Sequence, residues 1–144
     1  MKLQTKFEET IEVNESDILD FELGLPGFEE EKKFVLLPIE GTPFSILQSV
    51  ISPDLAFITA DPFVFFKNYD FELSNSDQDQ LAVSTPGDVM VQVIVTVAEP
   101  FEKSTANLQA PVVINTKQNK AKQVIINDGN YGTRHHLNTT KREG

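Results

Sequence analysis

Apolar residues alternate with period two over residues 88–98, where Val89, Val91, Val93, Val95 and Val97 share one face, so this stretch is predicted to be a β-strand. Its other face, Met90, Gln92, Ile94, Thr96 and Ala98, is half apolar, which places the strand centrally, covered on both sides for part of its length. Shorter β-rich runs recur at residues 3–13, 18–23, 34–37, 44–50, 55–59, 112–115 and 122–126. Turn chemistry separates nearly all of them: Gly24-Leu25-Pro26-Gly27, Glu40-Gly41-Thr42-Pro43, Ser52-Pro53-Asp54 and Thr85-Pro86-Gly87-Asp88. This spacing predicts a mainly β protein, a small single-domain antiparallel β-barrel-like fold. One short helix is expected over residues 74–81, where Ser or Asn can cap and acidic residues occupy the first turn.

Residues 112–115 and 123–126 read as a hairpin with a polar, basic tip at residues 116–120. The expected core combines the valines with Ile11, Val13, Phe21, Leu36, Leu47, Phe57, Ile114 and Ile125. The domain is expected over residues 1–137. Order is expected to weaken from Asn127, and residues 138–144, without an apolar side chain, are expected to form a flexible tail. Neither an internal repeat nor a linker divides the chain.

Composition narrows the function more than the fold. The 144 residues hold 12 Lys+Arg and 22 Asp+Glu, a net charge of −10. The charge is uneven: residues 1–116 are strongly acidic, whereas the last 28 carry a basic excess through Lys117, Lys120, Lys122, Arg134, Lys141 and Arg142. An acidic body repels phosphate backbones, so direct nucleic-acid binding is not expected. Zero cysteines exclude disulfides, thiol nucleophiles and thiolate zinc sites. The chain shows no stretch long and apolar enough to span a bilayer and no apolar leader, so a cytoplasmic protein is expected. The charge also favours a monomer when free.

A search for catalytic chemistry finds little. His135 and His136 are adjacent and near the expected tail, so they point in opposite directions on extended chain and read as solvated. P-loop, dinucleotide and metalloprotease signatures are missing, and no metal or cofactor is expected. Glu29-Glu30-Glu31 reads as a solvated loop, or as a negative edge offered to a basic partner. The most unusual stretch is residues 61–73, with Phe63, Phe65, Phe66, Tyr69 and Phe71 within nine positions. If extended, it places Phe63, Phe65, Tyr69 and Phe71 on one face, either as core with a cross-strand ladder or as an exposed anchor rimmed by Asp61, Asp70 and Glu72. Pro62 argues for an edge strand.

With these segments in view, the chain resembles the flagellar assembly factor FliW family. The resemblance rests on FELGLPGFE (21–29), FVLLP (34–38), PFSILQS (43–49), LAFITADPFVFFKNY (55–69), PFEKSTANLQAPVVIN (100–115) and QVIINDGNY (123–131), with Thr133-Arg134-His135 near the end. It covers nearly the whole chain, residues 74–88 and the segment after Leu137 least. It implies a non-enzymatic β-barrel-like protein that binds cytoplasmic flagellin. Released when flagellin is exported, such a protein would bind the carbon storage regulator CsrA and allosterically relieve its repression of flagellin mRNA translation. Partner contacts are expected at Phe65, Phe66, Tyr69 and Asp70, and at Phe28, Glu29 and Glu30. Gly24, Pro26, Gly27, Asp61, Pro62, Asn107, Ala110 and Pro111 are expected to be family-motif residues with structural roles. Alternatives are a dedicated flagellin export chaperone and a small RNA-binding barrel using Lys117, Lys120 and Lys122.

Overall fold

The computed structural model describes residues 2–6, 10–127 and 129–137. Seven strands form a closed ring: β3 (Leu19–Phe21), β4 (Lys33–Pro38), β5 (Phe44–Ser49), β6 (Ala56–Ala60), β7 (Val89–Thr96), β9 (Val112–Asn115) and β10 (Lys120–Gln123). The order is β7-β6-β5-β4-β3-β10-β9, and β9 pairs back onto β7. Every pairing in the ring is antiparallel except β3 with β10, which is parallel, so the ring is the expected antiparallel β-barrel-like fold with one parallel seam. Closure leaves no open edge in the ring.

Register explains what fills the barrel. Directly paired residues put their side chains on the same face, and the pairs Leu19↔Phe34, Leu36↔Leu47, Leu47↔Phe57, Thr59↔Ile94, Gln92↔Val112, Ile114↔Ala121 and Ala121↔Phe21 lead right round the interior. The apolar members of that circuit form one buried cluster, with Leu36, Phe57 and Ile94 partly buried and packed against it. Inside it the Thr59 hydroxyl donates to Gln92 Oε1 at 2.7 Å, so the polar groups that β6 and β7 turn inward satisfy each other.

The valine face of β7 therefore points outward, and Gln92 and Ile94 point in. Val93 and Val95 are buried nonetheless, because other segments cover the outside of the barrel. Val97 is exposed, since it lies beyond the strand's end, and so is Ile125; neither belongs to the core expected of them. Ile125 is displaced because the hairpin strand starts earlier than the pattern suggests. Asn115 Oδ1 accepts from the Lys117 and Gln118 N–H groups and tightens the tip to residues 116–119, so β10 begins at Lys120.

The apolar run at residues 3–13 is not one strand. It contains β1 (Lys2–Leu3) and β2 (Ile11–Glu12), an antiparallel pair outside the ring, and Leu3 and Val13 pack over Val35. Helix α2 (Asn75–Leu81) forms as expected, with Ser74 accepting from Asp77 N–H at its start. A further helical turn, α1 (Pro62–Phe65), replaces the extended aromatic strand. His135 and His136 form β11, paired with β8 (Thr105–Ala106) at the side of β7, and Leu137 is buried. The histidines are thus part of the fold, since Tyr131 and Leu137 supply apolar anchors on either side of them. The tail expected at residues 138–144 lies outside the described residues.

Candidate functional site

Strand β6 delivers the chain to Asp61 at the barrel end where Phe44 pairs with Ala60. The Asp61 carboxylate accepts from the Phe63 N–H at 3.0 Å, and Pro62 fills the first helical position, so the chain turns at once into α1. This local chemistry overrides the alternation that suggested a strand, and Pro62 marks a helix start instead of a sheet edge.

The turn gathers rings from distant segments into a belt. Ring centroids step from Phe101 to Phe44 (5.7 Å), Phe65 (5.6 Å), Phe66 (6.4 Å), His135 (6.0 Å), Tyr131 (6.3 Å) and Tyr69 (4.8 Å). Tyr69 also meets Phe63 at 5.9 Å and Phe71 at 5.5 Å. These tilted and edge-on contacts each contribute about 0.5–1.5 kcal/mol beyond burial. Polar atoms within the belt are paired: Tyr69 donates its hydroxyl to the Leu108 carbonyl at 2.7 Å, the Tyr131 hydroxyl accepts from Asp70 N–H, and His135 Nε2 accepts from Gly132 N–H. Phe63, Val64 and Phe101 remain exposed at the rim.

The second group of expected contacts follows β3. Gly24 has φ +68°, and a Cβ there would lie 2.4 Å from the Glu29 carbonyl oxygen, so this close backbone approach requires glycine. Leu25 and Phe28 exchange both backbone hydrogen bonds across the turn, and Glu29 accepts from Gly27 N–H at 3.1 Å. Phe28 rests its ring on Phe57 at 5.7 Å but keeps 42% of its surface exposed. Glu29 and Glu30 are exposed, whereas Glu31 is not the solvated residue its neighbours suggest. Its two oxygens accept from the Ser49 and Ser52 hydroxyls at 2.6 and 2.7 Å. These bonds, Ser49 first, hold the Glu31 carboxyl below its usual 4.5, against a smaller opposing effect of burial.

The structure separates the two groups. Phe28 and its loop lead into β4 at the end where Phe34 pairs with Ser49, while the belt lies where Phe44 pairs with Ala60. One length of β5, about 17 Å, lies between those ends. Phe65, Phe66 and Asp70 come together at the belt, with Tyr69 beneath them; Tyr69 is 5% exposed, so it supports the surface and cannot itself be a principal contact. Asn107 Oδ1 accepts from the N–H groups of Gln109 and Ala110 at 3.1 Å each, a tight turn that buries Ala110 and Pro111. Phe44, Phe101, Tyr131 and His135 escaped sequence reasoning because only the strand pairing converges them.

Two of the three lysines of the basic hairpin are engaged by acidic or amide side chains. Lys117 pairs with Asp88 at 3.0 Å, and Lys122 donates to Asp77 and Gln80 on α2. Lys117 also pulls the Asp88 carboxyl below its usual 3.8, outweighing the opposing effect of burial. Among the described residues, no group of three or more His, Asp or Glu side chains is placed to hold a metal ion, and no helix is long and apolar enough to cross a membrane.

The FliW protein family model matches residues 2–137. The flagellar assembly factor FliW of Geobacillus kaustophilus (strain HTA426) is 52% identical over 137 residues, covering 95% of each chain. That of Bacillus subtilis (strain 168) is 51% identical over 136 residues, covering 94% of this chain and 95% of its own. A crystal structure of the flagellar assembly factor FliW superposes with a TM-score of 0.91 at 49% identity, covering 95% of this chain and 96% of that one.

Proposed function

The chain belongs to the FliW family of flagellar assembly factors, and from that premise we propose that it holds flagellin in the cytoplasm before export. Once flagellin leaves, the freed protein binds CsrA and relieves its repression of flagellin mRNA, acting as a non-enzymatic switch without a cofactor. The observation that carries the first step is the belt: exposed Phe63, Val64 and Phe101 sit on a packed ring network, with Asp70 exposed beside them. Flagellin termini are long amphipathic helices that lack partners before assembly, and an aromatic surface covers their apolar stripe.

Charge supports the second step. The acidic body brings a negative field beside an RNA-binding dimer and opposes the incoming phosphates without occupying their site. The two separated surfaces leave room for either partner to be held at its own end.

Calorimetric titration with purified flagellin and CsrA separately, then CsrA into the flagellin-saturated protein, tests the reading. Binding to both, with flagellin lowering the affinity for CsrA, is expected. Binding to flagellin alone would reduce the role to an export chaperone, and binding to neither would remove the proposal. A mobility shift of flagellin leader RNA by this protein alone would favour an RNA-binding barrel instead.

A further inference from the structure

The outer face of β7 and β9 is covered unevenly. Helix α2 seats Leu81 over Val113 and Val124, and residues 70–73 run across the same face from the belt. Between them lies a cleft of about 560 Å³. Val89, Val91 and Val113 form its floor, Phe71 and Val83 belong to its walls, and exposed Phe63 joins it to the belt. That volume accepts several apolar side chains at once.

The walls are fixed before anything binds. Asn115 donates through Nδ2 to the Leu81 and Ala82 carbonyls and so fastens the end of α2 to the barrel, while Gln78 Nε2 donates to the Leu73 carbonyl and ties the start of α2 to the segment that leads into it. The charge at the rim has one sign. Among the described residues lining the cleft, Asp70 and Glu72 are the charged ones, and both are exposed. On the far side of residues 70–73 a second hollow of about 630 Å³ is lined by the same carboxylates and by Asp77, which Lys122 already pairs.

We infer that this cleft is the seat of an amphipathic helix from a protein partner, one whose apolar stripe is flanked by Lys or Arg. The apolar floor takes the stripe, and Asp70 and Glu72 meet the cations along one edge. A helix flanked by Glu or Asp meets like charge at the same edge and is rejected. The inference rests on the proposed holding of flagellin and names where and by what chemistry a helix is held.

The chain contains no tryptophan, so Ser84→Trp on the exposed cleft wall supplies a single reporter for fluorescence titration of the full chain. The probes are a Leu/Lys helical peptide of about five turns with one apolar stripe, its Glu-flanked counterpart, and the Lys peptide with the stripe scrambled. At physiological salt the striped Lys peptide is expected to bind at least tenfold more tightly than either control. The double variant Asp70→Lys/Glu72→Lys is expected to lose at least tenfold of that binding with its thermal midpoint unchanged, and Ser84→Arg to do the same in calorimetry. Equal binding of the scrambled peptide would overturn the inference, since charge alone would suffice. Concentration-dependent dimers abolished by Ser84→Arg, without peptide binding, would overturn it in favour of a second copy. If flagellin binds wild type and these variants alike, the cleft is wrong and the holding function stands. If the striped peptide binds in the cleft while flagellin does not bind at all, the holding function fails and the cleft stands.

Discussion

The aromatic end and the Gly24 end share the same strands and are built by opposite means. At the aromatic end, rings from four separate stretches of chain pack on one another, and the few polar atoms beneath them are satisfied by the Leu108 carbonyl, Tyr131 and Gly132. At the Gly24 end the backbone itself is pinned, by a positive φ, by the Leu25–Phe28 exchange and by the Glu31 carboxylate on two serines. Apolar burial is non-directional and can extend to rings or aliphatic groups from another protein, whereas hydrogen bonds to the Glu31 carboxylate hold only at set distances and angles. The difference teaches where exchange of contacts with a partner is cheap and where shape is held fixed.

The largest effect expected from breaking this contrast is at Gly24. Gly24→Ala forces a Cβ against the Glu29 backbone at positive φ, and a stability loss of about 2–4 kcal/mol is expected in urea unfolding. Gly27→Ala sharpens the point: its φ is +85° but nothing lies within 4 Å, so only the conformational cost of about 1 kcal/mol applies. Equal losses at the two glycines would show that the close approach to Glu29 is not what fixes the loop.

At the other end, Tyr69→Phe keeps the ring and removes the donor to Leu108, leaving a buried carbonyl unpaired; a loss of about 1–2 kcal/mol is expected. Phe63→Ser at the exposed rim removes one ring contact with Tyr69, so a stability loss of about 1 kcal/mol is expected, together with an about tenfold weakening of flagellin binding in calorimetry. A large stability loss at Phe63 would mean that the belt is ordinary core.

Much of this contrast was hidden from the sequence for physical reasons. The strands around residues 34–37, 44–50 and 55–59, the long strand near residue 89 and the helix after Ser74 were legible, because alternation and capping are local. Alternation cannot say which face is inside. The valine face of β7 lies outside the barrel and is buried only because distant segments cover it. The aromatic run has the ring parity of a strand, and the Asp61 cap overrides that parity by bending the chain into a helical turn. The belt needed Phe44, Phe101, Tyr131 and His135 from across the chain, and Glu31 looked like its exposed neighbours until the residue 49–52 turn supplied two donors.

The smallest expected effect isolates the polar half of the comparison through pH. The Glu31 carboxyl is held below 4.5 in the folded protein by Ser49 and then Ser52, so folding favours its charged form. Its contribution to stability is complete above the unfolded value near 4.5 and is lost as pH falls through the lower folded value. Glu31→Gln should therefore be less stable than wild type by under about 1 kcal/mol at neutral pH, with the gap closing as the solution is acidified below 4.5. Asp88, held down by Lys117, titrates in the same direction in both proteins and cancels in the difference. Tyr69→Phe removes a neutral hydrogen bond at the opposite end, so its gap from wild type should not close on acidification. Urea midpoints for the three proteins across the acid range decide the matter: a Glu31→Gln gap independent of pH would leave the serines holding a group whose charge does not matter.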